Sequence, residues 1–266
     1  MGAFIATNPA PRYDPLSMLI LQTLSAYLCA LVVTPLFAFV IGLMAIPDRS
    51  GRVWARVLQH WGRVCLLMAG SRGLLVEGEE AFDTPGGRVV MANHQSHLDP
   101  PTICRVCPYP IRFIAKRSLF FLPIFGQAMW LAGMISIDRR NRERAFASID
   151  LAVKRVRKGY TVLVFPEGTR ATSPEMLPYK KGGFVLAIQS GVPIIPVGIA
   201  GTERMIPPGW RCHARSHVSV VVGDPIDTTG HSMESRDELI RTVREQIEVL
   251  RSRAQQRLEQ AESGAS

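Results

Sequence analysis

Hydrophobic positions run almost unbroken through the first part of the chain and become periodic after it. No charged residue lies between Asp14 and Asp48, a gap of roughly thirty positions, long enough for a helix across a hydrocarbon core. From Leu19 to Ile46 the run reads as one long apolar helix reaching about 40 Å. Pro35 falls inside it and has no N–H to donate, so a kink or a helix–turn–helix is expected there. The run is then either one tilted span or two short helices within a single leaflet. Arg12 is balanced by Asp14 and no A-x-A-like site closes the run, which favours an anchor over a cleaved signal peptide. Beyond it, Val53, Trp54, Val57, Leu58 and Trp61 recur at helical spacing, with Arg49, Arg52, Arg56, His60 and Arg63 mostly on the other side. Such a helix fits lipid headgroups at the membrane interface, or equally an amphipathic helix packed on a domain.

After Gly73 the pattern changes to short β-rich runs separated by helical stretches. Leu74–Val76, Arg88–Ala92, Ile111–Ala115, Met134–Ile137, Thr161–Phe165, Ile194–Ile199 and Val218–Val222 read as strands. Between them, Leu119 to Leu131 is a helix candidate interrupted at Pro123 and Gly126. Phe146, Ile149, Val153 and Val156 mark a second helical stripe, and Phe184, Val185 and Ile188 a third that stops at Gly191. Ser235 and Glu238 form a candidate capping box before a long helix striped by Leu239, Ile240, Val243, Ile247 and Leu250. The tail after about Gln255 reads as polar and frayed. Alternation of this kind predicts an α/β fold: one domain with a mixed, largely parallel sheet flanked by helices, behind an N-terminal hydrophobic anchor. The expected divisions are 1–48 anchor, 49–72 basic amphipathic helix, 73–230 α/β domain, and 231–266 final helix and tail.

The 266 residues carry a formal charge of +9, which suits a membrane surface, a nucleic acid or a phosphorylated substrate. Five cysteines make no disulfide framework, so a reducing cytosolic face is expected. Cys104 and Cys107 form a C-x-x-C pair, for which Cys212 and His213 are thin zinc partners; two packed thiols are the simpler reading.

The segment Asn93-His94-Gln95-Ser96-His97-Leu98-Asp99-Pro100 directly follows a predicted strand, where active sites of open α/β sheets collect. An imidazole can take a proton from an attacking alcohol, and a carboxylate on its other nitrogen fixes the tautomer. His94 and Asp99 could meet in this way if the loop turns into a helix. Other readings stand beside it: Asp99 before Pro100 is a good helix N-cap, His97 is a second histidine, and His94, His97 and Asp99 could be metal ligands. A second segment, Phe165-Pro166-Glu167-Gly168-Thr169-Arg170, offers a close backbone approach, a hydroxyl and a guanidinium fork suited to phosphate. Lys180 and Lys181 precede two glycines at a helix start, and Asp138-Arg139-Arg140-Asn141-Arg142 is a third basic loop at a strand end. There is no G-x-S-x-G, Walker A, H-E-x-x-H or G-x-G-x-x-G pattern, which takes support from serine hydrolases, nucleotide phosphotransferases and zincins.

Four blocks in order resemble the glycerolipid acyltransferase family, specifically the bacterial 1-acylglycerol-3-phosphate acyltransferases. Asn93 to Asp99 is similar to its histidine–four residues–aspartate motif. Gly133 to Arg139 is similar to its second motif, with Ser136 where an aromatic residue is common. Phe165–Arg170 and Val192–Val197 are similar to the third and fourth. The resemblance implies membrane association and direct acyl transfer from acyl-CoA or acyl carrier protein to a lysophosphatidic acid hydroxyl. No cofactor, metal or nucleic acid is expected, and the catalytic domain is expected on the cytosolic face of the cytoplasmic membrane. It further implies His94 as general base and Asp99 as its partner, with Arg139, Glu167, Gly168, Thr169 and Arg170 around the acceptor; Lys180 or Lys181, from the basic helix start, are expected to join them at the phosphate. A lyso-ornithine lipid acceptor, or a metal-dependent phosphodiesterase using His94, His97 and Asp99, are the competing functions.

Overall fold

The computed structural model describes residues 15–48, 50–138, 142–173, 175–207, 212 and 215–264. The apolar run forms α1 (Pro15–Leu28), a π-helical turn (Cys29–Val33) and α2 (Thr34–Ala45) in succession. The Thr34 N–H reaches five residues back to the Cys29 carbonyl. This wider turn absorbs the N–H that Pro35 lacks and relieves its ring from the preceding turn, so the helix continues where a break was expected. The reversal comes later. Asp48 accepts the N–H groups of Gly51 and Val53 and starts α3 (Arg52–Met68) running back along the first helix.

That hairpin is stitched along its length. Gln22 bonds the Ala69 carbonyl, Cys29 lies 3.6 Å from Cys65 between sulfurs, and the Trp61 indole donates to Thr34 at 3.1 Å. Of the two readings of the basic amphipathic helix, the packed one describes its apolar face. Trp54 and Leu58 are buried in a core shared with Ala26, Ile41 and the sheet, while Arg52, Arg56, His60 and Arg63 face outward. The anchor, the amphipathic helix and the α/β domain therefore share one core.

A seven-stranded sheet follows, made of β1 (Gly73–Glu77), β2 (Arg88–Ala92), β3 (Ile111–Lys116), β4 (Ile135–Ile137), β5 (Thr161–Val164), β6 (Ile194–Ala200) and β7 (His217–Val222), in the order β1-β7-β6-β2-β5-β3-β4. Every pairing is parallel except β6 with β7. Such strands are buried on both faces and need helices on both sides. On one side lie α3, α4 (Asp99–Val106) and α5 (Phe125–Leu131), with α2 packed over α5 through Gly42 and Ala128. On the other lie α6 (Arg142–Val156), α7 (Gly182–Ser190) and α9 (Arg236–Ser263), while α8 (Thr202–Met205) is a single turn after β6. The break between the 3-10 turn Arg117–Phe121 and α5 falls at Leu122–Ile124, around Pro123 as expected, whereas Gly126 lies inside α5 and does not interrupt it.

Two expectations about the last helix are corrected. Ser235 makes no side-chain cap; its hydroxyl instead accepts the Ser232 N–H at 2.9 Å. The stretch after Gln255 is helical and docked, because Ala254 and Leu258 bury against Ala200 and Val221 and Arg257 pairs with Glu77.

Candidate active site

The carboxyl ends of β2, β5 and β6 lie side by side and release three segments: 93–98, 165–170 and 201–206. In the first, the chain turns immediately into α4, and Asp99 occupies its first residue rather than capping it. Its carboxylate points back over the turn it has just left. Oδ2 accepts His94 Nδ1 at 2.8 Å and the N–H groups of Gln95 at 2.7 Å and Ser96 at 2.8 Å. Oδ1 accepts the Thr202 hydroxyl at 2.6 Å. Asp99 is 0% exposed, so four donors take the place of water around one buried anion.

His94 sits at the mouth of this arrangement with its side chain 17% exposed. Its ring stacks on Phe165 at 4.0 Å between centroids, fixing the plane of the imidazole, and the Asp99 bond fixes Nδ1 as the protonated nitrogen. Nε2 then stands as a base toward solvent, without a protein partner among the described residues. The loop carrying the pair is pinned from the β6 side. Asn93 bonds both the carbonyl and the N–H of Ile199, at 3.0 and 2.8 Å, and Ser96 donates to the Ile206 carbonyl at 2.6 Å.

It is pinned from the β5 side as well. Glu167 is 1% exposed; Oε1 accepts the His94 N–H at 2.9 Å and Oε2 the Leu177 N–H at 2.8 Å. Burial pushes its carboxyl up, against the pull of those two donors. Gly168 turns the chain with φ +73°, a conformation open to glycine, and an added Cβ would stand 3.2 Å from Lys180 Cγ. Thr169 is exposed. Arg170 has a buried Nη1 with no hydrogen-bond partner among the described residues. Burial first, and the Arg170 charge after it, push His97 down to about 4, so His97 is neutral at pH 7.

A model described as Acyltransferase matches residues 73–200. The 1-acyl-sn-glycerol-3-phosphate acyltransferase of Escherichia coli K12 is 32% identical over 221 residues, covering 80% of this chain and 88% of that protein. Its counterpart from Salmonella typhimurium is 33% identical over 188 residues, 68% of this chain and 75% of that one. The chain belongs to the acyltransferase family. The crystal structure of the 1-acyl-sn-glycerophosphate acyltransferase from Thermotoga maritima is 28% identical with a TM-score of 0.76, covering 91% of this chain and 96% of that one.

Within the acyltransferase fold, His94, Asp99, Gly168 and Arg170 come together at the strand ends. Glu167 lies beneath them with both oxygens occupied. Lys180 is exposed beside Gly168, but Lys181 pairs with Asp237 on α9 at 3.4 Å, away from the imidazole. The second glycine after the lysines serves packing: a Cβ on Gly183 would meet Val164 at 2.8 Å and Met91 at 3.3 Å. Arg139, Arg140 and Asn141 lie outside the described residues; Asp138 before them pairs with Arg117 at 3.3 Å. Cys104 and Cys107 are buried free thiols, and Cys212 lies at α1, bonded to the Gln22 carbonyl; His213 is outside the described residues. Among the described residues no three His, Cys, Asp or Glu side chains are grouped to hold a metal. Asn93 and Thr202 were not anticipated as site residues. Thr202 carried no sequence signal beyond its position at a strand end, whereas Asn93 stood inside the first motif block without a role of its own.

Proposed function

We propose that this acyltransferase esterifies the free hydroxyl of a 1-acylglycerol-3-phosphate with a fatty acyl group from an acyl thioester. The observation that carries the reading is the His94–Asp99 pair, 2.8 Å apart, with a solvent-facing imidazole. In the proposed reaction Nε2 of His94 takes the acceptor's hydroxyl proton as that oxygen attacks the thioester carbonyl. The carbon–oxygen ester bond forms, the carbon–sulfur bond breaks, and the thiolate recovers the proton from the imidazolium. The products are phosphatidic acid and a free thiol. A thioester is already activated, so no covalent enzyme intermediate is required.

The orphan Nη1 of Arg170 supports a phosphate-bearing acceptor, since a buried guanidinium donor costs free energy until an anion satisfies it. A lyso-ornithine lipid has no phosphate to offer. Four donors already surround Asp99, which matches an orienting carboxylate better than a metal ligand. Acyl-CoA and acyl carrier protein both supply the thioester that the chemistry needs.

The helix Leu16–Ala45 is long and apolar enough to cross a membrane. We propose instead that it lies within one leaflet, with the site on the cytosolic face. It is bonded to α3 from Gln22 to Thr34 and packed on α5 at Gly42, and α3 turns Arg52, Arg56 and Arg63 outward. A full crossing would draw those cations into hydrocarbon. Leu31, Leu36, Phe39 and Leu43 face outward on the first helix, and Phe121, Ile124 and Trp130 do so around α5. These residues supply an apolar surface for a lipid layer.

The test is acyl transfer from palmitoyl-CoA and palmitoyl-acyl carrier protein to 1-acylglycerol-3-phosphate, with detergent-purified wild type beside His94→Ala. Phosphatidic acid from wild type and a loss of at least about a hundredfold in the variant are expected. A folded wild type with no product from either donor removes the acceptor assignment. An active His94→Ala removes the mechanism.

A further inference from the structure

We infer that Thr202 is a positioning residue of the reaction: its hydroxyl holds the Asp99 carboxylate with Oδ2 turned to His94. The inference rests on His94 acting as the base. It starts from the division of labour on the carboxylate. Oδ2 is shared by the imidazole and two backbone N–H groups, whereas Oδ1 has one donor among the described residues, Thr202 at 2.6 Å, across a separation of 103 residues. Thr202 is 1% exposed and Asp99 0%, so water does not replace the hydroxyl if it is lost. A carboxylate deprived of a donor on one oxygen also becomes free to rotate about its terminal torsion, which is broad and roughly two-fold.

The placement of the hydroxyl follows from the turn that carries it. Gly201 ends β6 with φ +95°, and its N–H is accepted by Glu203 Oε2 at 3.0 Å. The next residue is thereby delivered to the first position of α8. The same stretch of chain holds the loop at two more points, Ile199 on Asn93 and Ile206 on Ser96. Thr202 is therefore the only side chain of this clamp that touches the carboxylate itself, and the remaining contacts would survive its loss.

The electrostatic consequence has a definite sign. The charged and titratable groups facing Asp99 are His94 and His97 on its own loop, Arg170 after β5 and Glu203 in α8. Burial pushes Glu203 up, and the Asp99 charge adds to that effect. Removing the Thr202 hydroxyl withdraws a donor that stabilises the anion. The charge on Asp99 then falls more heavily on the imidazole, which favours its protonated form relative to wild type.

The experiment compares Thr202→Val, Thr202→Ser and Thr202→Ala in full-length protein, measuring kcat, acceptor KM and the pH dependence of kcat/KM, with His94→Ala alongside. Valine keeps the shape and removes the donor. Expected are a kcat loss of about tenfold to a hundredfold, little change in KM, and an acid limb moved up by about half a pH unit or more. Serine should restore both. If valine does not fold, the alanine–serine contrast carries the same information. A valine or alanine variant whose acid limb coincides with wild type overturns the inference, whether or not kcat falls, since lost packing alone would not move it. So does a serine variant as impaired as alanine. An active His94→Ala would show instead that the reading beneath it had failed.

Discussion

Replacing Glu167 separates two meanings of the same residue. Family resemblance puts it among the acceptor-binding groups, yet its carboxylate is 1% exposed and spans two backbone donors, His94 N–H at 2.9 Å and Leu177 N–H at 2.8 Å. Leu177 belongs to a loop that Arg244 of α9 also holds, through the Leu177 and Met176 carbonyls at 2.8 and 2.9 Å. Glu167 thus ties the base-bearing loop to the final helix. Glu167→Gln keeps the shape and one acceptor oxygen but sets an NH2 group against one of the N–H donors. One charge-assisted bond, worth ~1.5–3 kcal/mol, is lost and a buried N–H is stranded. The charge that burial disfavours also disappears, which offsets part of the loss. The balance is a destabilisation of ~2–4 kcal/mol, or roughly 5–15 °C in Tm for a chain of this size.

The kinetic consequence follows from geometry. The bond to Oε1 comes from the backbone of His94 itself, so a shift of a few tenths of an ångström passes directly to the imidazole. We expect kcat to fall about tenfold to a hundredfold with acceptor KM changed less than about threefold. The assays are thermal unfolding in detergent and initial rates over a range of 1-acylglycerol-3-phosphate concentrations. A Glu167→Gln protein with wild-type Tm and kcat but a raised acceptor KM would refute the reasoning and return Glu167 to the acceptor-binding set.

Arg170→Lys should lower kcat/KM for a phosphate-bearing acceptor by about tenfold to a hundredfold, since the fork geometry is lost while the charge stays. Lys181→Ala, which breaks only the exposed pair with Asp237, should stay within about twofold of wild type; steady-state kinetics test both. His97, held near 4 and neutral at pH 7, makes the protein acid-sensitive. Its folded value lies below the ordinary value of 6.5, so the unfolded chain binds the proton first. Stability is intact above about 6.5, falls as pH drops toward 4, and levels off below that. Partial exposure of the ring reduces the effect to ~1–2 kcal/mol. Tm measured from pH 7 to 4 should fall less in His97→Gln, and parallel curves would contradict this. Leu258→Asp buries a charge against Ala200, Val221 and Ala254 and should cost at least ~3 kcal/mol, read as a lower Tm. A neutral result would mean that the last turns of α9 do not dock.

What was legible in the sequence was whatever local periodicity encodes. All seven strands stand where the β-rich runs are, because strands buried on both faces are continuous apolar runs bounded by turns, such as Arg88–Ala92 and Ile194–Ala200. The His94–Asp99 pair was legible because four intervening residues and a proline fit one loop running into one helix turn. The misreadings share a different cause. Pro35 disrupts a regular α-helix, but a π turn restores the backbone accounting, and no side-chain pattern announces that. The end of α9 looked frayed because after Leu250 its buried positions are an alanine and one leucine, Ala254 and Leu258, too sparse a stripe to be seen without the sheet beneath. The tethering roles of Asn93, Thr202 and Glu167 escaped because each acts on a segment between 73 and 106 residues away in the chain.

Those long-range bonds also explain why the site can be built on loops at all. A general base must be held within a few tenths of an ångström of its working position, and a free loop between a strand and a helix is not that rigid. Here seven residues, Asn93 to Asp99, are tied to β6 itself at Ile199, to the segment after it at Thr202 and Ile206, and to the segment after β5 by Glu167. The loop therefore moves only if two neighbouring strand ends move with it, and both are central in the sheet. Fixing one imidazole this way places buried polar groups at Asn93, Ser96, Asp99, Glu167 and Thr202, each satisfied by a named partner. Substitutions among them should be strongly non-additive, because losing one tether loosens the loop that the others hold.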